Sequence, residues 1–377
     1  MINFTNREFS HFSLRNFIIL LGIVFIFFSC EKNILEQNDP PDPDPDPDTT
    51  ADSFKNGIFI INEGNFNWGN ASVSFIDAKK GPIEQDIFKQ ANNRSLGDVA
   101  QSMKIFNNRG FIVVNNSNSV EVVSLDDFKS IKTITGFNSP RHIEIIDSGK
   151  AYVTNMLKDI AVVDLKTFSI SKTIKLYDWT ESMIRFKEYV FVTNIGSYLA
   201  PNSKRKAKIQ IINTADDQII DSIITGKEPL SIIVDRKEKV WVLCTGGFDG
   251  YEPPSLLRID PVLKIVEKTF VFEKGSGNPS RLCINSTGDT LYFLNNGVFL
   301  MPVNADDLPS QPLIPANGRL FYGLGVDPEN GNLFVSDAVD YVQNGWVYQY
   351  KQSDGKLIKS FPAGRIPGSF CFTETKR

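Results

Sequence analysis

The sequence predicts an all-β fold, a seven-bladed β-propeller with four-stranded antiparallel blades. Three observations carry this reading. A short apolar strand, often ending in Asn, recurs seven times; partner strands follow each copy; and no long stretch has helical periodicity. The copies are Ile58-Phe-Ile-Ile-Asn62, Phe111-Ile-Val-Val-Asn115, Ala151-Tyr-Val-Thr-Asn155, Val190-Phe-Val-Thr-Asn194, Val240-Trp-Val-Leu-Cys244, Leu291-Tyr-Phe-Leu-Asn295 and Leu333-Phe-Val-Ser-Asp337. Four short strands in roughly 45 residues is the make-up of a propeller blade.

The chain starts with an address. Arg7 and Arg15 precede twelve apolar residues, Phe17 to Phe28, followed by Ser29-Cys30. A membrane-spanning helix needs about 17–25 apolar residues, so twelve suits the core of a signal peptide. A small residue before Cys at its end resembles the bacterial lipobox, which makes residues 1–29 a lipoprotein signal peptide and Cys30 the lipidated residue. An uncleaved N-terminal anchor is the alternative, and either places the remainder outside the cytoplasm. Residues 30–52 include Asp39-Pro-Pro-Asp-Pro-Asp-Pro-Asp-Pro-Asp48. Proline fixes φ and removes donors while like charges repel, so this segment reads as an extended acidic tether. The chain's formal charge is −4, but the tether and leader account for more than that, leaving +2 for residues 53–377. A nearly neutral body has no basic face for nucleic acid.

Within the body, each signature strand is followed by a second strand, such as Ala71 to Asp77 or Ile160 to Asp164. Most units add a third: Ile131 to Ile134, Ile170 to Ile174, Ile219 to Ile224, Ile265 to Val271 and Leu357 to Phe361. A lead-in element precedes the signature strand, as in Ser139-Pro-Arg-His-Ile143, Glu228-Pro-Leu-Ser-Ile232 and Asn278-Pro-Ser-Arg-Leu282. The first unit lacks one, while the C-terminus holds an orphan, Gly364 to Phe372. That C-terminal strand is expected to complete the N-terminal blade and leave no sheet edge open.

The distances between signature strands show where extra residues go. Three intervals exceed the near-minimal blade of about 40 residues. The excess lies mostly after the signature strands of units one, four and five: Glu63 to Gly69, Ile195 to Lys206 and Gly246 to Pro254, with a milder insertion from Ala338 to Gly345. In an up-and-down blade these loops share a face with the blade-to-blade connections. The expected rim therefore gathers Asn65, Phe66, Trp68, Asn116, Arg141, His142, Trp179, Tyr198, Phe248, Tyr251, Arg281 and Tyr341 as ligand-binding candidates. Aromatic and amide groups on one rim suit an amphipathic small molecule or a partner surface.

Catalytic motifs are sparse. Beyond the leader the chain has one histidine, His142, so multi-histidine zinc sites are excluded and any Ser-His-Asp triad must use it. No Walker loop, dinucleotide-binding glycine fingerprint, paired CxxC or nucleophile elbow is present. Asp77, Asp164 and Asp260 recur at strand ends and read as turn caps, not calcium ligands. Cys244, Cys283 and Cys371 each sit in apolar runs and read as buried small hydrophobes. No metal or cofactor is expected, and no catalytic residues are assigned.

Ala151-Tyr-Val-Thr-Asn155 and Val190-Phe-Val-Thr-Asn194 resemble the repeat of the YVTN/YncE-like β-propellers, over about residues 57–372. Asn62 to Asp77 and Leu96 to Met103 resemble a narrower set, the propeller lipoproteins of Bacteroidetes-type outer membranes. Some of these capture cobalamin at the cell surface and deliver it to a TonB-dependent transporter. The resemblance implies a lipid-anchored outer-membrane protein that binds a corrinoid-like small molecule and partners such a transporter. A scaffold for protein or glycan interaction, and a lactonase-like propeller enzyme, are the alternatives.

Overall fold

The computed structural model describes residues 54–78, 81–157, 159–176, 178–196, 206–247 and 252–373. The leader, Cys30, the tether, and the candidates Tyr198, Phe248 and Tyr251 lie outside the described residues.

Signature strands form because alternating residues face opposite sides, and here both sides are apolar. Ile58 and Ile60 pack toward blade seven, with Phe334 and Val347, while Phe59 and Ile61 pack toward blade two, with Ile112 and Val114. Strands buried on both faces read as continuous apolar runs without a period of two. Seven hydrophobic clusters result, one in each seam between adjacent blades.

The seven sheets are four-stranded and antiparallel. Blades two to seven each use consecutive strands. Blade one combines Gly57–Asn62, Ser72–Asp77 and Ile83–Glu84 with the C-terminal strand Pro367–Phe372. That strand lies innermost, pairing Ile58 with Phe372, Phe59 with Cys371 and Ile60 with Phe370. The seven inner strands are Pro367–Phe372, Ala100–Phe106, Pro140–Ile145, Thr180–Phe186, Pro229–Val234, Ser280–Ile284 and Phe321–Val326. Each neighbours the next around a closed ring. The expected fold and its closure are therefore both present.

The fourth strands vary most. Units one and six, for which the sequence suggests no third partner strand, have outer strands of only two residues, Ile83–Glu84 and Ile314–Pro315. In blade one the chain turns instead into a helix, Ile87–Asn92, whose Ile87 and Phe88 are buried against blade two. Six residues are too few to show periodicity in the sequence. As expected, Asp164 and Asp260 cap turns: Asp164 Oδ1 accepts from the Lys166 and Thr167 amides, and Asp260 Oδ1 from those of Val262 and Leu263. The thiols of Cys244, Cys283 and Cys371 are free, and burial pushes those of Cys244 and Cys371 up to about 12.

The recurrent Thr and Asn of the signature have distinct tasks. Thr154 Oγ1 accepts from the His142 amide (3.0 Å) and donates to the Glu181 carbonyl (2.6 Å), joining blade three to blade four. Ser336 does the same from blade seven to blade one, accepting from Gly323 N and donating to Pro367 O. The terminal amide or carboxylate binds the adjoining loop: Asn155 Oδ1 accepts from Asn138 N, and Asp337 Oδ1 from Leu320 N. Thr154 is fully buried. Thr154→Val keeps its shape but leaves one amide and one carbonyl unpaired, and is expected to lower stability by about 1–3 kcal/mol. The check is a urea midpoint that falls with an unchanged slope.

Candidate functional site

Every inner strand breaks register with its signature partner near its start. The irregular residues begin at Gln101, Arg141, Glu181, Leu230, Arg281, Tyr322 and Gly368. A bulge re-aims a side chain, and here the repeated bulge aims six side chains around the mouth of the central channel, with Gly368 at the seventh position. A sharp turn precedes several of them, with Val99, Ser139, Glu228 and Ile366 at positive φ. In six blades the residue that ends or follows the signature strand closes this turn. Glu63, Asn115, Met156, Ile195, Thr245 and Ala338 donate their amides to Ile366, Val99, Ser139, Trp179, Glu228 and Leu320 respectively. The loops after the signature strands and the blade-to-blade connections therefore share one face, as the sequence suggests.

At this mouth the polar side chains bind one another across blades. Arg141 grips Glu181 with two hydrogen bonds (2.8 and 2.7 Å) and donates a third to Gln101 Oε1 (2.5 Å). Trp179 Nε1 adds a bond to Glu181 (2.6 Å), and His142 Nε2 stands 3.8 Å from the same carboxylate. On the other side Tyr322 donates to Glu63 (3.0 Å), while Arg281 lies 3.6 Å from Glu63, donates to the Tyr322 carbonyl and covers its ring at 5.0 Å. Glu63 comes from the signature-strand side of blade one and occupies space left by Gly368, where a Cβ would stand 2.4 Å from Glu63 Oε1.

The two carboxylates titrate in opposite directions. Burial opposes ionisation of both. For Glu181 the charge and hydrogen bonds of Arg141, with His142 nearby, outweigh burial and hold the carboxyl well below its ordinary 4.5. For Glu63 burial prevails over Arg281, Tyr322 and the more distant Arg141, and its pKa rises above 4.5. Two guanidiniums and two carboxylates leave the mouth close to neutral, with Arg281 (26% exposed) and His142 (31%) offering donors to solvent.

Of the sequence candidates, Arg141, His142, Trp179 and Arg281 meet at this mouth. The sequence puts the two arginines and His142 in lead-in loops; they occupy the first turn-proximal residues of inner strands instead, because the bulge lets the strand begin there. His142, which has no assignable partner in the sequence, faces Glu181. Tyr341 packs edge-on against Tyr322 (5.6 Å), and its carbonyl accepts from Asn65. Asn116 is tied to Asn67 and Asp98. Phe66 and Trp68, in the loop after Glu63, are 64% and 68% exposed. Sequence reasoning missed Glu63, Gln101, Glu181 and Tyr322. The usable signal is the second residue of each aligned lead-in, which reads Gln, Arg, Glu, Leu, Arg, Tyr, Gly around the ring.

Residues 56–368 match a family defined by a domain of unknown function, DUF5074. The chain belongs to this family. No curated protein sequence matches it. Among solved structures, a quinoprotein alcohol dehydrogenase-like protein from Bacteroides thetaiotaomicron VPI-5482 is similar at a TM-score of 0.67 and 16% identity, over 86% of this chain and 79% of that one. A periplasmic gluconolactonase from Pseudomonas aeruginosa is similar at 0.63 and 11% identity, over 84% and 99%. At such identities the likeness is one of fold, and it agrees with the closed propeller of this DUF5074 chain.

The opposed shifts predict opposed pH limbs. Glu181 contributes stability above 4.5 that is lost as pH falls toward its lowered folded value; Glu63 contributes stability at acid pH that is lost as pH rises from 4.5 toward its raised one. In melting temperature measured against pH, Glu181→Gln is expected to flatten the acid limb and Glu63→Gln the limb above it.

Proposed function

We propose that this protein is a non-catalytic binding propeller that captures a corrinoid-like nutrient, cobalamin or a close relative, at the channel mouth. In this reading the lipid on Cys30 anchors the chain to the outer membrane, surface-exposed. The acidic tether gives the propeller reach, and a TonB-dependent transporter receives the ligand. The observation that carries the proposal is the near-neutral ring of Gln101, Arg141, Glu181, Arg281, Tyr322 and Glu63, with exposed Phe66 and Trp68 in the loop that follows Glu63.

A corrin has a broad apolar face fringed by amides. Aromatic side chains bury the face, and a ring holding both donors and acceptors satisfies the amides without the cost of leaving them unpaired. The mouth is also poorly arranged for proton transfer. Glu181, the carboxylate nearest His142, is already held by Arg141 and Trp179, so it supports binding better than general-base chemistry. The exposure of Phe66, Trp68 and Val342 favours one other reading, a rim that docks a protein partner with no small ligand.

Calorimetric titration of the full chain with cyanocobalamin, with haem as control, separates the readings. Saturable binding of the corrinoid alone is expected, weakened about tenfold by Trp68→Ala at unchanged melting temperature. No heat from either tetrapyrrole on a folded protein contradicts the proposal and favours the docking rim.

A further inference from the structure

A second concavity lies in the seam between blades seven and one, bordered by Gly69 and Asn344 of the rim loops. It is a cleft of about 580 Å³, within the range of small-molecule sites. It exists because blade one departs from the repeat. Its outer strand stops after Ile83–Glu84, and the chain then turns at Asp86 into the Ile87–Asn92 helix, leaving a gap beside the outer strands of blade seven.

Its lining sets one aromatic side chain among several polar ones. Trp346, on the third strand of blade seven, is the only aromatic residue on its wall among the described residues and is 42% exposed. Around it stand Asp86, Lys89, Ser95 and Asn344, and among the described residues none of these four side chains has a hydrogen-bond or ion-pair partner. Other polar lining groups are already occupied: Gln85 bonds Ser74 and the Pro362 carbonyl, and Arg365 bonds the Val342 carbonyl. Asp86 holds the N-cap position of the helix at φ 47 but makes no side-chain cap bond. Aspartate at an N-cap normally spends its carboxylate on the first helical amides. Here that carboxylate remains available to the cleft.

We propose that this cleft binds a neutral oligosaccharide, with one sugar ring stacked on Trp346 and its hydroxyls bonded by Asp86, Lys89 and Asn344. A pyranose has an apolar C–H face that suits an indole, and vicinal hydroxyls that each donate and accept. An acceptor-only carboxylate, a donor-only ammonium and an amide that does both match that pattern. The opposed charges of Asp86 and Lys89 favour an uncharged ligand over an anionic or cationic one.

The test uses the full chain and four probes: the trisaccharides of glucose, mannose, galactose and N-acetylglucosamine. Binding is followed by tryptophan fluorescence and calorimetry, with trialanine as control. At least one trisaccharide is expected to bind saturably. Trp346→Ala should weaken it about tenfold or more, and Asp86→Ala and Asn344→Ala about threefold each, with cyanocobalamin titration unchanged in all three. If Trp346→Ala melts early, the two polar variants decide. The proposal is overturned if no trisaccharide binds at about 10 mM, if trialanine binds in their place, or if affinity survives both polar substitutions.

Discussion

The pairing of Pro367–Phe372 with Gly57–Asn62 is the constraint on which the molecule depends. A propeller has no single core; its stability resides in seams, and each seam needs a blade on both sides. Without the C-terminal strand, the seam of Phe334, Phe361 and Ile58 loses Phe370 and Phe372, and blade one presents an open edge. The fit of this strand is close. A Cβ on Gly325 of blade seven would come within 3.1 Å of the Phe370 side chain, and one on Gly323 within 2.9 Å of the Gly368 carbonyl.

Closure also assembles the channel mouth. Glu63 reaches the ring because its amide is held by Ile366 and because Gly368 leaves room for its carboxylate. Glu63 in turn engages Tyr322 and Arg281 from the last two blades, so three blades converge only once the chain's two ends have met. The Arg141–Glu181 pair opposite is largely buried and joined by two hydrogen bonds. Such pairs add little net stability against apolar replacements but are costly to break, so they hold geometry more than they raise ΔG. A mouth of polar groups held against one another across blades, with Glu63 Oε1 left without a hydrogen bond, suits selective binding.

Much of this was legible in the sequence, for physical reasons. Strands buried on both faces give uninterrupted apolar runs, so seven copies were visible without any amphipathic period. The orphan segment at Gly364 to Phe372 announced closure because the first unit had no lead-in. Arg141, His142 and Arg281 stood out as basic or ring-nitrogen side chains in lead-ins that enter through proline. Glu63, Gln101, Glu181 and Tyr322 did not, because each makes sense only beside a partner about 40 or more residues away, at a bulge that the alternation of side chains does not encode. The Ile87–Asn92 helix was too short to detect. The cleft beside Trp346 depends on two blades at opposite ends of the chain and on an outer strand that stops early.

The most direct measurement is thermal unfolding of a chain ending at Ile366, alone and with a synthetic peptide spanning residues 367–377. Loss of a single cooperative transition, restored by adding the peptide, is the result this account predicts. A cooperative melt at the full chain's temperature without the peptide would contradict it, since the ring, its seams and its mouth would then not depend on the closing strand.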